Sequence, residues 1–183
     1  MEDSLIKIAR RFNAADITWA LGASMLLHYK GLVLKPNDID LVIALEDITC
    51  AQRILDELGV RKPLDFNANY ATRYFAEYVI GGVDVDVMAG FRIITDETTV
   101  EYILNPKTFG TLNLKGTTIK LCPLEDWYVL YLLMPERGER VAAIKGYFLE
   151  NGANREYLKA WAERDLPPVV TEQIRELSSK ETI

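Results

Sequence analysis

Two short apolar segments, NDIDLVIAL at 37–45 and GGVDVDVMAG at 81–90, each carry two aspartates at alternate positions among β-branched and aliphatic residues. Aspartate is depleted from strands because its short carboxylate prefers to bond nearby backbone groups in turns. A chain that places it twice in each of two strand-like runs is therefore tightly constrained. Successive strand side chains alternate faces, so Asp38 and Asp40 share one face about 7 Å apart, at ~3.3 Å per residue, and so do Asp84 and Asp86. Neither segment holds a Lys or Arg. If the two strands are neighbours, up to four carboxylates converge on one patch, which like-charge repulsion disfavours unless a cation binds. An all-oxygen donor set selects a hard ion, Mg²⁺ or alternatively Mn²⁺, and such ions are commonly shared with substrate phosphates during phosphoryl transfer. The competing reading makes Asp38 a turn residue after Pro36-Asn37, Asp40 an exposed strand residue, and Asp84 and Asp86 the solvent face of a hairpin.

The remaining pattern supplies a scaffold for these strands. Residues 4–15 read as an amphipathic helix with Leu5, Ile8, Ala9 and Phe12 on one face and Ser4 as a cap. A short strand, Ile17 to Gly22, leads through Gly22-Ala23-Ser24 into a helix-like run closed by Gly31, then a Lys-Pro-Asn turn before the strand Asp38 to Leu45. Ile48 to Gly59 is a helix, with Asp47 placed to cap it and Gly59 to end it. Short strands follow: Tyr74 to Ile80 and Val83 to Ala89 around the hairpin turn Gly81-Gly82, then Phe91 to Ile94, Val100 to Leu104, Thr111 to Leu114 and Thr117 to Leu121. After Pro123 the texture becomes helical: Leu124 to Met134, Glu139 to Glu150, Asn154 to Glu163 and Pro168 to Ser178. The expected architecture is α/β over residues 1–122, with a helical segment over residues 123–183 packed on it.

Charge narrows the partners. The chain has 183 residues with 21 Lys and Arg against 27 Asp and Glu, which argues against broad binding to a DNA backbone, since that needs a basic footprint. Setting aside Asp38, Asp40, Asp84 and Asp86 leaves 23 acids against 21 bases, so the acidity is concentrated where cations can offset it. Cys50 and Cys122 are the only cysteines and fit neither a disulfide framework nor a zinc site. With no basic-then-apolar leader and no apolar run of roughly 20 residues, the expectation is a soluble, unprocessed, cytoplasmic protein without membrane association.

A glycine at the junction of a strand and a helix lets the backbone approach a phosphate, which makes Gly22 and Ser24 candidate nucleotide contacts, although Gly-Ala-Ser also makes an ordinary helix entry. Lys35, in the loop before Asp38, is a candidate phosphate cation or a solvated loop lysine. His28, Trp19, Tyr29, Trp127, Tyr128 and Tyr131 read as packing residues.

The run WALGASMLLHYKGLVLKPNDIDLVIAL, followed by VDVDVM, resembles the DNA polymerase β-like nucleotidyltransferase superfamily, particularly small bacterial members related to antibiotic and toxin–antitoxin nucleotidyltransferases. The family pattern is an apolar residue, Gly, Gly or Ser, a spacer, Asp-x-Asp or Asp-x-Glu, and a third acid on a later strand. If Ser24 fills the Gly/Ser place, residues 25–37 form a spacer of 13; if Gly22 begins the motif, Ala23 takes that place and the spacer is 14. Asp38 and Asp40 match the acidic pair, and Asp86, with Asp84 as the alternative, matches the third acid. The resemblance implies a mixed sheet flanked by helices and transfer of a nucleoside monophosphate from an NTP to a hydroxyl of a small molecule, protein or RNA. It implies that Asp38 and Asp40 bind the nucleotide-associated Mg²⁺, that Asp86 joins them on a second Mg²⁺ and helps take the acceptor's proton, and that Gly22 and Ser24 hold the β- and γ-phosphates. Pro123-Leu124-Glu125-Asp126 looks like the family's helix entry, but the Lys usual on that helix is absent from Leu130 to Leu133. Two readings of other classes compete: a binding module that keeps the fold without turnover, acting as an antitoxin or regulatory protein partner, and a metal-dependent glycosyltransferase. The latter needs a larger nucleotide-binding region ahead of Asp38.

Overall fold

The apolar stripe of the first helix sets the back of the core. In the computed structural model, which describes residues 1–63 and 71–179, α1 (Glu2–Ala14) buries Leu5, Ile8, Ala9 and Phe12 completely. It starts two residues before the expected cap. Ser4 lies inside its first turn and donates from Oγ to the Ile80 carbonyl at 2.9 Å, so the hydroxyl ties the helix to the sheet.

Seven strands form one mixed sheet in the order β3 (Val60–Arg61), β4 (Tyr74–Ile80), β5 (Val83–Ala89), β2 (Ile39–Ile43), β1 (Trp19–Leu21), β9 (Thr117–Leu121) and β8 (Gly110–Leu114). The two aspartate-bearing strands, β2 and β5, are parallel neighbours at its centre. Such strands face packed layers on both sides and need near-continuous apolar sequence, which IDLVI and VDVDVMA supply apart from their acids. The β4–β5 hairpin has the expected bounds and turn. Gly81 and Gly82 take φ +60° and +76°, the left-handed pair that a two-residue hairpin requires. A separate ribbon joins β6 (Arg92–Ile94) to β7 (Thr99–Glu101).

Helices α2 (Ala23–Tyr29) and α3 (Ile48–Leu58) follow β1 and β2. Asp47 precedes α3 as expected, yet it does not cap it: its Oδ2 accepts from the Thr18 N–H at 2.8 Å and so braces the start of β1. The C-terminal helices are α4 (Leu124–Leu133), α5 (Gly138–Asn151), α6 (Arg155–Ala162) and α7 (Pro168–Ser179). α4 buries eight of its ten residues, because α2, α5, α6 and α7 enclose it and an enclosed helix is apolar on all sides. Its one buried charge, Asp126, accepts from the Tyr102 hydroxyl at 2.8 Å and from Trp161 Nε1 at 2.7 Å. Burial pushes Asp126 up to about 6 against these bonds. Among the described residues, no helix is long and apolar enough to cross a membrane.

Candidate metal and nucleotide site

The register of β2 on β5 builds the site. Asp40 stands opposite Asp86 across the parallel pair, and Glu77 stands opposite Asp86 on the other side. Three carboxylates therefore form a row across β2, β5 and β4. Asp38 precedes the first residue of β2 and is held by Ser24, whose Oγ lies 3.0 Å from Asp38 Oδ1 and 3.3 Å from its carbonyl oxygen. This brings Asp38, Asp40 and Asp86 together, each offering an oxygen within 4.8 Å of the others.

Asp84 stands outside that group. It shares a face with Asp86 but lies two residues back along β5, and its carboxylate pairs with Lys62 Nζ at 2.6 Å. Lys62 arrives there because its N–H bonds to the Glu77 carbonyl at 2.8 Å, extending the β3–β4 pairing by one residue.

No family model matches the chain, and no curated protein matches it by sequence. Solved structures do: TM1012 from Thermotoga maritima, a candidate nucleotidyltransferase, superposes with a TM-score of 0.62 at 23% identity, covering 80% of this chain and 91% of that one. ANT(2")-Ia, solved with adenylyl-2"-tobramycin, gives 0.56 at 14% identity over 96% and 97% of the two chains. The lincosamide antibiotic adenylyltransferase LnuA, solved with lincomycin, gives 0.54 at 13% over 79% and 96%. The chain has the DNA polymerase β-like nucleotidyltransferase fold.

Within this nucleotidyltransferase-type fold the acids carry an electrostatic load. Asp40 is nearly inaccessible; its burial, then the charges of Asp38 and Asp86, push its pKa well above the carboxylate range, while the Ser24 backbone N–H opposes them. Asp86 is pushed up to about 7 by burial and by Asp38, Glu77 and Asp84, with Lys62 pulling the other way. Among the described residues, no Lys or Arg pairs with Asp38, Asp40 or Asp86. Three clustered carboxylates without a protein cation have the oxygen donors, spacing and charge deficit that a divalent ion such as Mg²⁺ satisfies.

The turn beside them is closely packed. Gly22 donates its N–H to the Asp40 carbonyl at 2.9 Å, and the Trp127 indole lies so near that a Cβ at position 22 would sit 2.2 Å from Trp127 Cζ2. A side chain there has no room. Ala23 takes φ +39°, a left-handed conformation that costs a non-glycine residue roughly 1–2 kcal/mol. Ser24 is buried, whereas Lys35 is exposed on the loop between α2 and β2. Trp19 is core, and Trp127 packs against Tyr131 with the two rings tilted. His28 Nδ1 meets the Val33 carbonyl at 2.9 Å, which gives it a local structural partner.

Sequence reading missed Glu77 and Lys62, which reach the site only through strand pairing. Alternation along YFAEYVI places Glu77 among the side chains facing away from Ala76 and Tyr78, and that was the available signal for Glu77.

Proposed function

We propose that the protein is a Mg²⁺-dependent nucleotidyltransferase that moves a nucleoside monophosphate from an NTP to the hydroxyl of an acceptor and releases pyrophosphate. The observation that carries this is the group of Asp38, Asp40 and Asp86, with ligand oxygens within 4.8 Å, in a nucleotidyltransferase fold. Bound Mg²⁺ supplies neutralisation of phosphate charge and lowers the pKa of the acceptor hydroxyl. Asp38 and Asp40 would hold the ion that travels with the nucleotide, and all three acids a second ion. The acceptor oxygen bonds to the α-phosphorus as the bond from that phosphorus to the leaving pyrophosphate breaks. Asp86 takes the hydroxyl proton on its carboxylate, acting as the general base. Gly22 and Ser24 face the β- and γ-phosphates, and Lys35 offers a flexible cation at the rim.

The acceptor class follows the relatives of known ligand. ANT(2")-Ia and LnuA are solved with tobramycin and lincomycin chemistry, which supports a small-molecule hydroxyl ahead of a protein or RNA. The competing reading is a binding module that keeps the fold without turnover, favoured by Ala23 in a left-handed conformation at the phosphate turn.

The test is incubation with α-labelled NTPs, Mg²⁺ and pooled hydroxyl acceptors, following label transfer and pyrophosphate release. Transfer by the wild type that disappears in Asp38→Asn/Asp40→Asn supports the enzyme. Failure of the wild type to bind an NTP at millimolar concentration refutes it, and a stoichiometric protein partner whose binding survives Asp40→Asn establishes the module.

A further inference from the structure

One side of the turn at 22–24 is walled by a ring from the C-terminal helices. Trp127 lies on α4, 2% exposed, and α4 packs against α2, the helix that this turn leads into. The edge of the indole that carries Nε1 faces Gly22: a Cβ added there would stand 2.2 Å from Cζ2, 2.5 Å from Cε2 and 2.6 Å from Nε1. Among the described residues Nε1 has no nitrogen or oxygen partner, so its contact with the turn is one of shape. Tyr131 backs the indole with ring centroids 5.4 Å apart, and Arg140 Nη1 donates to the Tyr131 hydroxyl at 2.9 Å. The wall behind Gly22 is thereby tied to α5.

On its other side the same turn holds the acid pair. Gly22 donates its N–H to the Asp40 carbonyl at 2.9 Å, the Ser24 backbone N–H bonds to the Asp40 carboxylate, and Ser24 Oγ lies 3.0 Å from Asp38 Oδ1. Ala23, between them, takes φ +39°. A left-handed alanine persists where its surroundings over-determine it, and here β2 grips the turn from one side while the indole closes the space on the other. A turn fixed on both sides keeps the two carboxylates it carries at a set spacing.

We propose that Trp127 is a positioning residue for Asp38 and Asp40: from α4 it braces the turn at 22–24 against β2, and so sets the spacing at which the pair binds a divalent ion and the nucleotide that accompanies it. The C-terminal helices then shape the site through a ring that touches neither ion nor nucleotide. For the nucleotide this rests on the nucleotidyltransferase reading; for the ion it rests on the carboxylate group alone. A smaller side chain at 127 leaves space behind Gly22 into which the turn relaxes, and metal ligands deprived of a fixed support bind less tightly.

The experiment measures Mn²⁺ affinity by electron paramagnetic resonance, and affinity for a non-hydrolysable Mg-ATP analogue by calorimetry, in the wild type, Trp127→Leu and Trp127→Phe, at a temperature where circular dichroism shows each protein folded. A packing role alone would lower the melting temperature and leave the Mn²⁺ affinity of the folded protein unmoved. Trp127→Leu is expected to weaken Mn²⁺ binding about 10-fold, the low end of the cost of removing support from a metal ligand, and to weaken the analogue with it. Trp127→Phe, which keeps a ring of shorter reach, recovers part of both losses. Wild-type Mn²⁺ affinity in folded Trp127→Leu overturns the proposal; if that variant does not fold, wild-type Mn²⁺ affinity in Trp127→Phe overturns it instead. Weakened Mn²⁺ binding by Trp127→Leu in a protein whose wild type binds no analogue keeps the positioning role and removes the nucleotidyltransferase reading. A wild type that binds no Mn²⁺ removes both.

Discussion

Replacing Asp86 with asparagine should stabilise the metal-free protein. The carboxyl is raised from the ordinary aspartate value near 4 to about 7, chiefly by burial and then by Asp38. At ~1.36 kcal/mol per pKa unit this sets a ceiling of about 4 kcal/mol, and solvent screening at a partly exposed group reduces it to about 1–3 kcal/mol. Because the folded value lies above the unfolded one, the proton favours the folded state. That contribution is complete below about pH 4 and is lost as the pH rises through 7. The amide of the Asp86→Asn variant is neutral at every pH, so its advantage is full above pH 7 and shrinks toward pH 5. For a chain of this size the gain corresponds to roughly 2–10 °C in Tm. The assay is thermal unfolding of wild type and Asp86→Asn in EDTA at pH 8 and pH 5, then at pH 8 with Mg²⁺. An ion at 100 times its Kd stabilises the wild type by about 2.7 kcal/mol, which narrows or reverses the order. Refutation would come from a variant less stable than wild type in EDTA at pH 8, or from an advantage that does not change with pH.

Three further substitutions probe the surroundings. Gly22→Ala places a methyl 2.2 Å from Trp127 Cζ2 and should cost about 1–3 kcal/mol as an overpacked contact; the cost should fall in a Trp127→Leu background, measured as coupling in a urea-denaturation cycle. Ala23→Gly relieves a left-handed φ of +39° and should raise stability by up to about 1 kcal/mol, the αL cost less the entropy of a glycine, read from the denaturation midpoint. Asp126→Ala strands the Tyr102 hydroxyl and Trp161 Nε1 and should cost about 2–5 kcal/mol for two buried donors, with Asp126→Asn costing less because one acceptor remains.

The strand pair that builds the site was legible because aspartate is poorly suited to IDLVI and VDVDVMA, and Asp40 and Asp86 stand there as register partners. The Gly81-Gly82 hairpin was equally legible, since its turn chemistry admits few alternatives. What alternation along one strand cannot reveal is the partner across the sheet. Asp84 and Asp86 are equivalent by periodicity, and their fates divide only because Lys62 arrives on the edge beyond β4 and takes Asp84. Asp47 and Ser4 show the same limit for caps: each has a capping side chain near a helix start, and each is drawn to a backbone group of another element.

The central claim, that Asp38, Asp40 and Asp86 form a divalent metal site, is tested most directly by titrating Mn²⁺ into the protein and following the free-ion signal by electron paramagnetic resonance. The wild type should bind Mn²⁺ at pH 8, bind it more weakly at pH 6 because Asp86 must shed a proton near 7, and yield it to Mg²⁺. The triple variant Asp38→Asn/Asp40→Asn/Asp86→Asn should leave the free Mn²⁺ signal undiminished. Identical binding curves for the folded variant and the wild type would contradict the account.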